Sequence, residues 1–432
     1  MFISKRLKLK KLARVIKMTV SGCLGRGLVL GSILLMSRIG IAADSLVLSE
    51  QKLTDADSIL VVEEGRGDLK AWQSSKARVP ASLAKLSTAY LALDKWAADH
   101  AFYTDFYRYN DELWVKGYGD PYLVSEELDR VSQLLSSVDL TGVRALHIDD
   151  SYFVNELVPG RSKVDDPYNA PLSAVAANFN TVMLKKIGGE LQSAESQTPL
   201  TSIAVKLAQE LNVGISNNGK GQRVNLKHRD NAQLHFAQLL LAKTGNRGWA
   251  VNINGSVPEG AKLVYRYTNT RTVEQIIRGM LEFSNNFMAN QLFLQLAGGP
   301  ESKTVSFKQA SRYAQQRLFE RFQWPEFEVV EGSGLSRENQ LSARQVDDLL
   351  LALKPYKHLF KQTRHPNAQI FAKTGTLDGV RTFAGFIGIK DKDYRFVFMF
   401  NRHVPWRHRE QLLETLVGQL LSLQKVDDVA SK

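Results

Sequence analysis

Cysteine is nearly absent from this chain. Cys23 is the single one among 432 residues, and it lies in an N-terminal segment that reads as a targeting sequence. The body therefore has no thiol for a disulfide or a thiolate metal site, and its stability must come from its core. Acidic residues are missing from the first 43 positions, which hold nine Lys or Arg, from Lys5 to Arg38. Long apolar runs are missing as well. The stretch Gly27 to Met36 is shorter than the roughly 20 residues a membrane span needs. Basic residues, a short apolar run and then Gly40-Ile41-Ala42-Ala43 follow the order of an export signal, residues 1–43. Arg38 within the last stretch leaves the cleavage point open, and Met18 is an alternative start. Val20-Ser21-Gly22-Cys23 has the look of a lipidation site, but the apolar run follows it instead of preceding it, so Cys23 reads as incidental. Export to a periplasm or cell envelope is expected, with membrane contact only through this segment if it stays uncleaved.

The same segment explains the charge. The chain carries a net +12, yet without residues 1–43 the balance is 47 basic against 44 acidic. A near-neutral body offers no electrostatic footprint for nucleic acid. His403 and His408 flank Pro405 without an acid between them, which is no recognised ligand spacing, and no metal is implied.

Along the body, Ser58 to Trp72 reads as a hairpin turning at Gly65-Arg66-Gly67-Asp68. Pro80 then opens a helix whose apolar face carries Leu83, Leu86, Tyr90, Leu91 and Leu93. Residues 100–264 read as an insertion in which short strands and helices alternate without a repeat. It includes a helix from Ser125, taken as its cap, to Val138, a strand from Val143 to Ile148, and helices over Thr201 to Leu211 and Asn231 to Lys243. Asp165 to Pro171 is rich in turn formers. Helices follow over Thr270 to Leu281, Phe287 to Ala297 and Ser342 to Leu353. Three β-rich runs, Ala368 to Phe371, Thr382 to Ile389 and Tyr394 to Asn401, precede a closing helix, Arg409 to Leu423, and a polar, frayed end. The class is mixed α/β (α+β).

Three short motifs occur in order: Ser82-Leu83-Ala84-Lys85, Ser284-Asn285-Asn286 and Lys373-Thr374-Gly375. A serine hydroxyl needs a base to become a nucleophile. Lys85, three residues on along a helix, shares a face with Ser82. Burial and a neighbouring cation, here Lys373, lower a lysine pKa far enough for it to act as that base. Ser284 can relay a proton to a leaving amine, and Asn286 can orient Lys85 and donate to a substrate amide. Lys373, at the start or end of a strand, can hold a terminal carboxylate. Gly375 lets that strand approach closely. The backbone amides of Ser82 and Thr376 are the expected oxyanion donors, and losing one such donor costs about a hundredfold in rate. Decoys exist. Ser49 to Lys52 lacks a helical apolar face, Ser216 sits among Asn and Gly, and Lys243 ends a helix before Gly245. The set is that of a serine acyl-transferase acting on peptides that end in a carboxylate.

These motifs form the signature of penicillin-recognising serine enzymes. The wider chain resembles the low-molecular-mass class C penicillin-binding proteins, the D-alanyl-D-alanine carboxypeptidase/endopeptidase family. The resemblance rests on Trp114 to Pro121, Ile148 to Phe153, Tyr168-Asn169-Ala170-Pro171, Gly332 to Arg337 and Ala372 to Val380, and spans about residues 58–401. Ser-Asn-Asn stands where Ser-Asp-Asn is commoner, and Glu331 where the family usually has Asp. The 202-residue gap from Ser82 to Ser284 fits the insertion this family carries. A Glu-x-x-Leu-Asn segment is missing, which argues against efficient β-lactam hydrolysis.

The resemblance implies a penicillin-binding, transpeptidase-like domain of antiparallel sheet flanked by helices (residues 44–99 and 265–432), split by the inserted α+β region. It implies a serine D-Ala-D-Ala carboxypeptidase, with endopeptidase action on cross-links open. The expected partners are peptidoglycan stem peptides and β-lactams, with no cofactor. Thr374, Gly375 and Thr376 would line the substrate. Arg337 and Asp166 would hold the carboxylate and ammonium of a diaminopimelate side chain. A silent wall-binding or sensing protein, a β-lactamase and a transpeptidase remain as alternatives.

Overall fold

Four runs that carry Val, Ile, Phe and Tyr pair with two shorter edge strands into a six-stranded sheet. Its order is Lys361–His365, Ala368–Leu377, Val380–Ile389, Lys392–Phe400, Asp57–Glu63 and Gly67–Trp72. Every neighbouring pair is antiparallel. The computed structural model describes residues 46, 53–161, 166–211, 214–245, 248–299 and 304–430. The expected export segment with Cys23, and the Ser49 to Lys52 decoy, lie outside the described residues. Among the described residues no helix is long and apolar enough to cross a membrane.

Successive side chains on a strand point to opposite faces, and here both faces are buried. Ile59, Val61, Phe383, Ile387, Phe396, Phe398 and Phe400 pack against Leu412, Leu413, Leu416, Val417 and Leu420 of the last helix, His408–Ala430. Leu60, Val62, Ala384, Phe386, Val397 and Met399 face a second layer of helices. At the centre of that layer is Ala84–Lys95, eight of whose twelve residues are buried. Around it lie Val273–Glu282, Asn286–Leu296, Phe307–Phe322 and Ala343–Leu353. The result is a helix–sheet–helix sandwich whose middle helix begins at the Ser82 turn.

Between the two halves of this sandwich, a five-stranded sheet runs in the order Lys262–Thr272, Ala101–Tyr109, Glu112–Gly117, Ala145–Asp149 and Ala250–Gly255, the last two pairings being parallel. Helices Ser125–Leu135 and Arg229–Lys243 cover it. A three-stranded sheet, Glu190–Ser193, Thr181–Ile187 and Gln222–Asn225, packs on Ser202–Gln209. The strand Lys262–Thr272 passes directly into the helix Val273–Glu282 through a capping box of Thr272 and Gln275.

Several elements differ from the sequence reading. Lys373 is not at a strand end. Val380–Ile389 pairs along the whole of Ala368–Leu377, so the ladder carries on through Gly375. Ser125 is the first helical residue rather than the cap. Val124 holds the cap position, while Ser125 Oγ pairs with Thr198 and its amide donates to Asn178. The last helix continues to Ala430 because Gln424 is buried and donates to Ile389 O and Tyr394 Oη. The helix Phe307–Phe322 was unassigned in the sequence reading.

Leu416 is 0% exposed between the last helix and the sheet. Leu416→Ala is expected to remove about 2–5 kcal/mol of stability through the cavity it leaves. Urea unfolding measures this, and an unchanged midpoint would show that the helix adds nothing to the sheet.

Candidate active site

The chain enters the site through a strained turn. Ala81, fully buried, has φ 48°, a left-handed conformation that costs a non-glycine residue on the order of 1 kcal/mol. The turn Ala81–Leu83 then runs into the helix Ala84–Lys95. It is fastened from the sheet by Thr382 Oγ1, which donates to Pro80 O at 2.9 Å.

One turn on, Lys85 is 0% exposed. Its Nζ lies 2.6 Å from Asn286 Oδ1, 2.7 Å from Ser333 O and 3.3 Å from Ser82 Oγ. The first two partners can only accept. A neutral amine therefore gives them its two N–H bonds and is left with a lone pair toward the Ser82 hydroxyl. Once protonated, it can keep all three contacts. Burial lowers the Lys85 pKa to about 7, working against the nearby Glu331 carboxylate, which raises it. Asn286 Nδ2 faces Tyr168 O at 3.3 Å, which fits the orientation of its amide.

The loop that supplies Ser333 O is built on Glu331, itself fully buried. One carboxylate oxygen of Glu331 accepts from Gly334 N, Ser336 N and Asn339 Nδ2, at 2.7, 3.2 and 2.6 Å. The other accepts from Ser333 N and Oγ at 2.8 and 2.6 Å. Thr88 Oγ1 ties Gly332 O to the nucleophile helix at 2.8 Å. Gly334, at φ 85°, would place a Cβ 1.8 Å from Ala81 O, so no side chain fits there.

Ser284 also takes a left-handed conformation, φ 53°, just before Asn285 caps the helix Asn286–Leu296 by accepting from Met288 N at 3.0 Å. The middle residue of this motif is thus a helix cap, a task Asn and Asp do equally well. Lys373, 2% exposed, donates to Ser284 Oγ at 2.8 Å and Thr374 O at 2.6 Å. Burial pushes its pKa well down, helped by the charges of Lys85, Arg409 and Lys361. An anionic group bound here would reverse that shift. The Lys373–Ser284 pair therefore stands beside the hydrogen-bonded set of Ser82, Lys85 and Asn286, near enough for the Lys85 charge to act on Lys373.

A Cβ on Gly375 would sit 2.2 Å from Thr382 Oγ1 and 2.8 Å from Ser82 N. The glycine therefore lets the strand press on the nucleophile's own backbone, bringing the Ser82 amide beside the Gly375–Thr376 segment. Arg409, from the last helix, reaches through to donate to Gly375 O at 3.0 Å and Thr376 Oγ1 at 3.1 Å. Lys361–His365 pairs with this strand only as far as Ala372. From Lys373 to Leu377 the outer edge has no strand partner among the described residues, and an extended peptide can add there.

The other sequence candidates fall outside this network. Arg337 is exposed and donates to Asp378 O, past the end of the Lys373 strand. Asp166 caps the short turn Pro167–Asn169 through Tyr168 N at 2.9 Å, so one of its oxygens is already committed to the backbone. Of the decoys, Ser216 is exposed, and Lys243 ends its helix paired with Asp129 at 2.5 Å. His403 is exposed, and His408 is packed edge-on against Phe400. Among the described residues no cluster of three potential metal ligands occurs. Glu331 as an anchor, Ser333 O and Arg409 were not foreseen from the sequence.

The model of the D-Ala-D-Ala carboxypeptidase 3 (S13) family matches residues 44–363, which include the first two motifs and end before Lys373. A D-alanyl-D-alanine carboxypeptidase from Actinomadura sp. (strain R39) is 32% identical over 143 residues, 30% of this chain. The match spans 27% of that relative's length. In fold, the chain is similar to penicillin binding protein 4 from Haemophilus influenzae, with a TM-score of 0.68 at 18% identity, covering 88% of this chain and 99% of the other. It is also similar to a predatory peptidoglycan endopeptidase from Bdellovibrio bacteriovorus, with a TM-score of 0.50 at 14% identity, covering 85% and 92%.

Acylation of Ser82 by a fluorescent penicillin is expected to slow as pH falls through about 7, because protonated Lys85 has no lone pair to accept with. A flat rate profile across that range would exclude Lys85 as the base. Glu331→Gln removes the charge that raises the Lys85 pKa, so the midpoint should move to lower pH. An unmoved midpoint would limit Glu331 to holding its loop.

Proposed function

The chain belongs to the D-Ala-D-Ala carboxypeptidase 3 (S13) family, and we propose that it is a serine-type D-Ala-D-Ala carboxypeptidase that also opens cross-links as an endopeptidase. Its substrates are peptidoglycan stem peptides, reached after export by the N-terminal segment. The observation that carries this reading is the Lys85 amine, fully buried, with two obligate acceptors and Ser82 Oγ around it.

In this mechanism the substrate lies along the open edge of Lys373–Leu377, with its terminal carboxylate at Lys373. Ser82 Oγ attacks the carbonyl of the penultimate D-alanine and its proton passes to Lys85 Nζ. The oxyanion accepts from the amides of Ser82 and Thr376, where fixed donors stabilise developing charge far better than water does. The C–N bond then breaks. The departing amine takes up the proton, with Ser284, held by Lys373, as the relay. Water next attacks the acyl-enzyme, gives a proton to Lys85, and the C–O bond to Ser82 breaks as that proton returns. β-Lactams enter by the same first step. Thr374, Gly375 and Thr376 flank the peptide, and Arg337, exposed near the strand's far end where it donates to Asp378 O, meets a side-chain carboxylate in this reading. We assign residues 44–99 and 273–432 to the peptidase domain and 100–272 to the insertion, moving the expected boundary from 265 because the strand Lys262–Thr272 belongs whole to the five-stranded sheet.

Mass spectrometry of defined muropeptides should show loss of D-alanine with wild-type protein and none with Ser82→Ala. Penicillin should add covalently to the first and not to the second. Turnover by Ser82→Ala would overturn the assignment of the nucleophile. Wild-type protein that takes penicillin but releases no D-alanine would mark a sensor.

A further inference from the structure

A cavity of about 960 Å³ opens beside the Ser284–Asn286 turn, between the insertion and the helix Val273–Glu282. Its walls include Tyr168 and Phe179 on one side and Arg271, Arg278, Phe283 and Asn286 on the other. Asn286 is the residue that also touches Lys85, so this cavity and the Ser82 site share a wall. The volume is far larger than a single alanine needs and lies at the upper end of ordinary ligand sites. Two large aromatic side chains at its lining are unusually open to solvent, Phe283 at 71% and Tyr168 at 63% exposed.

Its charges are unevenly answered. Arg223 pairs with Glu195 at 3.1 Å and Glu274 with His358 at 2.6 Å. Arg271 lies over the Tyr122 ring at 5.7 Å, and neither it nor Arg278 forms an ion pair among the described residues. Glu282 is the one further carboxylate in the lining. The cavity thus offers two exposed guanidiniums that lack an ion-pair partner among the described residues, aromatic surface, and two carboxylates, Glu282 and the His358-bonded Glu274. That combination suits an anionic peptide, since guanidinium is the natural partner of carboxylate.

Direction follows from Lys373. In the proposed reaction Lys373 holds the carboxylate of the leaving residue, and it is hydrogen-bonded to Ser284. The cavity lies beside the Ser284–Asn286 turn that Lys373 touches, so a chain that continues beyond the leaving residue has a volume open to it there. A terminal D-alanine has nothing beyond Lys373 to place in it. We propose that this cavity binds the second peptide strand of a cross-linked substrate, the strand that departs with the amine, and that Arg271 and Arg278 grip its carboxylates. This site rests on the reading of Ser82 given above.

The test uses the full chain and three substrates: a cross-linked muropeptide dimer, a monomeric pentapeptide and fluorescent penicillin. In Arg271→Glu/Arg278→Glu, kcat/KM for the dimer is expected to fall on the order of tenfold or more, as loss of charge-assisted bonds implies. D-Alanine release from the monomer and penicillin acylation should stay within about twofold, which also shows that the variant is folded. Arg271→Lys/Arg278→Lys should keep most dimer cleavage. Equal loss on dimer and monomer, no loss on either, or wild-type protein that cleaves only the monomer would overturn the assignment. Wild-type protein that neither releases D-alanine nor takes penicillin would instead overturn the Ser82 reading and this site with it.

Discussion

A lysine amine sealed from solvent is the constraint around which this molecule is arranged. Lys85 is 0% exposed, and an ammonium in that position is costly unless its hydrogens are satisfied. Three chain segments far apart in sequence meet that need: the Ser82 turn, the Asn286 helix start and the Ser333 carbonyl. Each must be placed within a few tenths of an ångström. The helix carrying Lys85 therefore lies at the centre of its layer, with eight of its twelve residues buried, and the loop at Ser333 is pinned by five hydrogen bonds to Glu331. The same burial that makes the ion costly makes the neutral amine available near pH 7. Stability and reactivity are set by one environment.

The sheet supplies the second half of the site through tight contact as well as through the Lys373 amine. Gly334 and Gly375 sit where a Cβ would overlap Ala81 O and Thr382 Oγ1. These absences let the loop and the strand close on the nucleophile turn from two sides. Strain remains at Ala81 and Ser284, both left-handed without being glycine. Such conformations persist only where the surroundings over-determine them, and they concentrate at functional sites. Here both residues belong to the turns that deliver the two reactive hydroxyls.

What could be read from the sequence follows from where each signal lives. The three motifs were legible because helix spacing fixes Ser82 against Lys85, and because the decoys lacked a helix or strand to carry them. The strands around 382–400 were legible from β-branched and aromatic runs bounded by turns. The helix Phe307–Phe322 was equally available, since Ser306 and Gln309 form a capping box, but its interior is rich in Gln and Arg, and the apolar stripe is thin. Glu331 finds all its hydrogen-bond partners, Ser333, Gly334, Ser336 and Asn339, in the residues just after it, but a carboxylate before a Gly-Ser turn does not by itself tell an anchor from an exposed acid. Arg409 was not legible locally, because its partners Gly375 and Thr376 are brought to it by packing and no spacing encodes them. Asp166 lies in the turn-rich loop that the sequence indicates, and one oxygen of its carboxylate caps the first turn of that loop, a local task that sequence spacing alone does not separate from a ligand role.

The sheet joins the two ends of the chain. Asp57–Glu63 lies between Gly67–Trp72 and Lys392–Phe400, so the first strand waits for the last one. Contacts of such long range form late, because more than 300 intervening residues must be ordered or looped out first. A chain still emerging from a ribosome has Ser82 and Lys85 but lacks the Ser333 carbonyl and the Lys373 strand that stand beside them. The enclosed amine is therefore a property of the finished polypeptide alone, conferred by the last segments to be made.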